Sequence, residues 1–183
     1  MAAKQLIFDE AARQSLLKGD RPWCPVDPKH PIHRHAKYDR YANCQELTKS
    51  KWIPRFLCRP CRHTISVLPD DTLPYRGISA PLTEGYFDAK AAGKPEPPVS
   101  ERERGCLKRA WARLRQRVEV LLAVLGQMIE AVKPSPSEFW NQLRRYGNLK
   151  QILHLLSRKY KRSLLGDYQC LQPWPTPSKP RRG

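Results

Sequence analysis

Cys58 and Cys61 are the residues whose types and spacing speak most directly of chemistry. A C-x-x-C step folds into a tight turn that carries both sulfurs to one side, where two thiolates can take two corners of a tetrahedral metal. Cys24 is the third candidate. It opens a half-matching step, Cys24-Pro25-Val26-Asp27, whose fourth position holds an aspartate where a second cysteine would complete the pair. The fourth ligand is therefore open on the sequence alone. Asp27 stands at the right position, and a carboxylate is an acceptable though less usual partner for structural zinc. His30 lies just beyond, within reach, and Cys44 is chemically softer but sits where a hairpin can turn it away. A Cys3His or Cys3Asp site of this kind is closed and structural, and its binding free energy helps fold the segment. A catalytic reading of His30, His33 and His35 has less behind it. A catalytic zinc keeps a water position open, and no glutamate is placed beside these histidines as a general base.

Two other uses of the cysteines fare worse. Six cysteines could make three disulfides, but they are spread over the whole chain, and Asp9 and Glu10 fall where a secretory signal needs an uncharged core. A redox pair would sit at a strand–helix junction. Here Cys58 follows one β-favouring stretch and Thr64-Ile65-Ser66-Val67 is another, which favours a metal.

A family likeness runs through the same region. Cys24-Pro25, then His33-Arg34-His35-x-x-Tyr38-x-Arg40, then Arg55-Phe56-x-Cys58-x-x-Cys61-x-x-Thr64-x-Ser66-x-Leu68-Pro69, then Pro74-Tyr75 resembles the zinc-ribbon heads of bacterial insertion-sequence transposases and of transposase-like proteins built around the same head. The resemblance covers residues 22–76. It implies a structural Zn2+, DNA as the first choice of nucleic-acid partner, and a bacterial, cytoplasmic, nucleoid-associated setting. Residues 1–19 are similar to the start of bacterial group I chaperonin subunits, but the nucleotide-binding motifs of that family are absent and no function follows.

The charge balance agrees with a polyanionic partner. Lys and Arg number 34 against 17 acidic residues, a formal net charge of +17, and the excess is spread over several segments rather than one tail. In the head the candidate phosphate contacts are Arg34, Lys37, Arg40, Arg59 and Arg62; further along they are Arg109, Arg113, Arg144, Arg145, Lys150, Arg158 and Lys159. Tyr38, Tyr41 and Trp52 could stack on bases, although Trp52 reads better as core of a small domain.

The fold class expected is α+β: a small zinc-ribbon-like β head followed by an all-α region with one long helix and a helical hairpin. Residues 1–21 are expected to form an N-terminal helix, from the near-helical spacing of Leu6, Ile7, Ala11, Leu16 and Leu17 with Gly19 as its stop. In the head, residues 22–76, Tyr38 to Cys44 and Trp52 to Cys58 form a hairpin with Gln45 to Ser50 as its loop. Residues 77–99 read as a Pro-rich connector holding a short helix between Leu82 and Ala92.

The helical domain spans residues 100–172. Ser100 and Glu103 make a capping box. Leu107, Trp111, Leu114, Val118, Leu121, Leu125, Met128 and Val132 follow as a heptad seam that packs internally or pairs two copies as a homodimer. About 32 helical residues would span ~48 Å. Pro134 ends this helix, and Ser135 with Glu138 caps the next. Tyr146-Gly147-Asn148 then joins two helices as a plain hairpin or a helix-turn-helix. Residues 173–183 form a basic, disordered tail. Gln127 and Glu130 exclude a membrane span around the Leu120s, and no small-molecule substrate is implied. The carboxylates between Asp70 and Asp167 do not fall on an evident buried strand, so the metal-binding triad of an active transposase is not expected. Three functions follow: a zinc-ribbon DNA-binding protein without catalysis of its own, an interaction module using the heptad seam, or a fragment of an active transposase.

Overall fold

The computed structural model describes residues 3–8, 10–22, 24, 26–44, 47–69, 73, 77–130, 133–160, 162–166 and 169–170. Val132, Lys161, Tyr168 and the tail from 171 lie outside the described residues, as do the side chains of Arg40, Tyr41, Cys44 and Arg158. The α+β class holds. A sheet built from β1 (Ala3–Phe8), β2 (Ile32–Cys44), β3 (Leu47–Cys58), β4 (His63–Leu68) and β5 (Gln169–Cys170) is joined by α1 (Glu10–Leu17). The helices α2 (Ala80–Ala91), α3 (Glu101–Leu125), α4 (Pro136–Arg144) and α5 (Leu149–Tyr160) make the second part.

Residues 3–8 correct the expected N-terminal helix. The sheet order is β2-β3-β4-β1-β5, with β2, β3 and β4 antiparallel and β1 parallel to both β4 and β5. The reason is tertiary. In β4 Thr64 to Leu68 are all buried, as strands covered on both faces are, and its free edge needs a backbone partner that Ala3–Phe8 supplies. Only Glu10–Leu17 keeps the helical spacing, and Leu16 inserts it into a core with Cys24, Ile32, Phe56, Cys58, Ile65 and Val67. The β2–β3 hairpin is longer than the expected one, running in register from Ile32↔Cys58 to Cys44↔Leu47 with one irregularity between Arg34 and Ala36.

The second core holds the short helix expected within residues 77–99 and shortens the expected long one. Residues 77–99 are more than a connector, because α2 sends Leu82, Tyr86 and Phe87 into the helical core and begins on a Ser79 cap. The long helix is 25 residues, not about 32. It stops because Gly126 takes φ 52 and ψ −127, a conformation that favours glycine, and a 3-10 turn follows over Gly126–Met128. Both capping boxes form: Ser100 with Glu103 and Ser135 with Glu138.

The heptad seam faces inward. Leu107, Leu114, Val118, Leu121 and Leu125 are buried in the chain's own core, and Trp111 and Met128 pack against it, so the seam offered to a second copy is filled from within. Arg117, on the basic half of α3, is buried as well and donates to the Ser163 carbonyl at 3.3 Å. Among the described residues no helix is long and apolar enough to cross a membrane.

Candidate metal centre

The metal candidates converge at one end of the sheet. Cys58 closes β3 and His63 opens β4, and the two are partners in register, so Arg59–Arg62 is the turn between antiparallel strands. Arg62 sits at φ 52 and its N–H donates to the Arg59 carbonyl at 3.2 Å, which reverses the chain straight after Cys61. A non-glycine residue in this left-handed region costs about 1–2 kcal/mol, a cost that a bound ion can offset. Ile32 pairs with Cys58 on the other side, and this register delivers the preceding loop, with Cys24 and His30, to the same end. That loop turns on the His30 N–H, which donates to the Asp27 carbonyl at 3.0 Å.

Cys24, His30, Cys58 and Cys61 each offer one ligand atom, and all four atoms lie within 4.8 Å of one another. The Cys24 and Cys61 sulfurs are 3.6 Å apart, and the His30 Nδ1 is 3.1 Å from the Cys61 sulfur. An Sγ–Sγ edge of about 3.8 Å follows from ~2.3 Å metal–sulfur bonds at a tetrahedral angle. Cys24 and Cys58 are buried against the apolar core, while Cys61 and His30 are partly exposed.

The electrostatics of the thiols ask for a cation. Burial pushes the Cys24 thiol up, but the backbone N–H groups of Asp27 and Val26, with hydrogen bonds to His30 and Cys58, outweigh it and hold it down at about 7. Burial pushes Cys61 up, and the neighbouring Cys24 and Cys58 push it further, to about 12. One thiolate forms readily and then opposes the next. A divalent ion at the centre cancels that opposition, since a coordinating thiol is deprotonated outright. The three sulfurs and one imidazole nitrogen thus fit a metal ion.

Asp27, placed among the candidate ligands by spacing, stands behind the site instead. Its Oδ1 accepts from the Lys29 N–H at 2.9 Å, and its Oδ2 lies 3.5 Å from His30 Nε2, the ring nitrogen that faces away from Cys61. A carboxylate there fixes the tautomer that leaves Nδ1 free to ligate. Asp27→Asn should therefore weaken metal binding about 10- to 100-fold without removing a ligand, read by competition with a chromogenic chelator. Unchanged affinity would mean that Asp27 only shapes the turn.

The predicted anion contacts divide into two groups. In the head Arg34 and Lys37, on β2, and Arg59 and Arg62, in the turn that holds Cys61, are exposed. Farther off, Arg109 and Arg113 are exposed on α3, Lys150 and Lys159 on α5, and Arg109 donates to the Cys106 sulfur at 3.0 Å. Arg144 is no free cation. It pairs with Glu84 at 3.1 Å and Asp88 at 3.2 Å, both on α2, and donates to the Gly147 carbonyl at 2.6 Å. Arg145 pairs with Glu130 at 3.0 Å. Asp88 also accepts from Trp140 Nε1 at 2.7 Å, and Glu84 accepts the Leu149 N–H at the start of α5. The helical hairpin is thus clasped to α2 by two carboxylates that nothing in the local sequence singles out.

Comparison with protein-family models, with curated proteins and with solved structures finds no match for this chain.

Proposed function

We propose that the chain is a zinc-ribbon nucleic-acid-binding protein, with DNA as its partner, that acts in or beside bacterial transposition and performs no catalysis of its own. The observation that carries this reading is the Cys24–His30–Cys58–Cys61 cluster, with exposed Arg59 and Arg62 in the turn that holds Cys61 and exposed Arg34 and Lys37 farther along the adjoining strand β2. Three thiolates and an imidazole suit Zn2+ in a closed structural site. The ion holds the two turns together, and the Arg59–Arg62 turn presents both of its arginines. The net charge of +17 supplies long-range attraction to phosphates.

Titration of labelled duplex DNA over a range of salt tests it. Binding through phosphates makes the logarithm of affinity fall linearly with the logarithm of salt, with slope about −0.9 per contact. Arg59→Ala and Lys37→Ala should each weaken binding on every sequence tried and make the slope shallower by about one. Absence of binding to duplex and single-stranded DNA alike, or an affinity indifferent to salt, would overturn the proposal.

A further inference from the structure

Trp52 does not lie in the core. It is 46% exposed, whereas its neighbours Ile53, at 0%, and Phe56, at 2%, are buried. A large aromatic ring left in water in the middle of a strand loses the burial that ordinarily recommends it. The ring borders an open groove of about 580 Å³ between α1 and the hairpin, lined by Leu17, Arg34, His35, Ala36, Lys37 and Trp52. That volume lies within the ~300–1,000 Å³ typical of small-ligand clefts. The described lining residues are basic and aromatic, and none of them is a carboxylate.

The groove is also held in shape. Arg13, on α1, donates from Nη1 to the Trp52 carbonyl at 3.0 Å, and Arg34 donates from Nη2 to the Leu16 carbonyl at 3.4 Å, so helix and hairpin are tied at two points. Lys37 Nζ sits 4.3 Å from the centre of the Trp52 ring. This cation–π contact is worth about 0.5–1 kcal/mol at an exposed site, little enough for the ammonium to move to a phosphate. Arg34 also borders a second, smaller cleft of about 280 Å³ with Arg21, His33 and the carboxylate of Asp20.

We propose that this groove binds an unpaired nucleotide, its base stacked on the Trp52 indole and its flanking phosphates held by Lys37 and Arg34. This rests on the nucleic-acid reading above and narrows its ligand class to single-stranded or locally opened DNA. A paired base hides its faces inside the duplex, so an exposed indole ringed by cations is complementary to a base that is free to stack. An acidic protein would meet the same cations, but its carboxylates have no use for the ring.

Full-length protein titrated with a short oligothymidylate and, in parallel, with a duplex of equal length tests the proposal. Trp52→Ala should weaken oligothymidylate binding about 5- to 150-fold, the loss that corresponds to one stacked base, and leave duplex binding unchanged. Trp52→Phe should restore most of it, and metal content equal to that of the parent chain shows that both variants keep the head. Equal losses on both DNAs, or none on either, would overturn the stacking site while the nucleic-acid reading stands. Binding of duplex but not of oligothymidylate would do the same. Failure of the parent chain to bind either DNA would overturn both.

Discussion

Cys58→Ser should strip the protein of its metal and unfold the head while the helical core stays folded. Cys58 is wholly buried, ends β3, and faces Ile32 on one side and His63 on the other, so the thiolate lies where three strands and both turns meet. Structural zinc contributes an apparent ~10–16 kcal/mol in small zinc domains near neutral pH. The core beneath it is small, with Leu16, Ile32, Phe56, Ile65 and Val67 as its main apolar members, and a core of that size rarely supplies more than a few kcal/mol. Loss of one of four ligands therefore removes more stabilisation than packing can replace. The parent chain should carry about one zinc after purification without added metal. The variant should carry none, and proteolysis should cut it between residues 24 and 63. A variant that stays metal-free and resists proteolysis would show that packing alone holds the head.

Trp140→Ala should produce the complementary result. Trp140 is fully buried, stands edge-on to Phe87 at 5.1 Å and 89°, and donates its indole N–H to Asp88 at 2.7 Å. Truncating a buried tryptophan costs about 3–5 kcal/mol through lost contacts and the cavity left behind. Here the change also takes a partner from Asp88, which then relies on Arg144 alone. Against a typical domain stability of about 5–15 kcal/mol, a loss of that size should move the urea midpoint of the helical signal by a molar unit or more at a slope of about 1–3 kcal/mol per molar. Metal content should not change, because Trp140 belongs to the core of Tyr86, Phe87 and Leu107 and not to that of Phe56 and Ile65. Loss of metal along with helix would show that the two cores fold as one.

What could be read from the chain beforehand was mainly local chemistry. The C-x-x-C turn and both Ser–Glu capping boxes depend on residues three apart, and each forms where spacing places it, while Cys24 lies close enough to the pair to share a metal ion. Of Asp27, His30 and Cys44, the three options for the fourth corner, His30 is the one whose ring nitrogen lies with the three sulfurs, a placement that depends on the register of β2 against β3. The misreadings come from long-range partners. Ala3–Phe8 carries spacing that suits a helix and became a strand because β4 had an open edge. Arg144 and Arg145 look like free cations until Glu84, Asp88 and Glu130 arrive from distant segments. Gly126 was the one visible sign that the heptad helix would end early, and the continuing apolar repeat concealed it.

The position of β1 bears on how the chain is made. On one side it pairs with β4, which leaves the ribosome soon after the two knuckle turns; on the other it pairs with Gln169–Cys170, which must wait until every helix has been translated. At about 5–20 residues per second, the stretch from Leu68 to Gln169 takes on the order of ten seconds. For that interval the residues of the metal cluster are already together, yet one flank of β1 offers unpaired amides and carbonyls to any passing strand. The last strand is only two residues long, and it acts as a late seal that a growing polypeptide applies after the rest has taken shape.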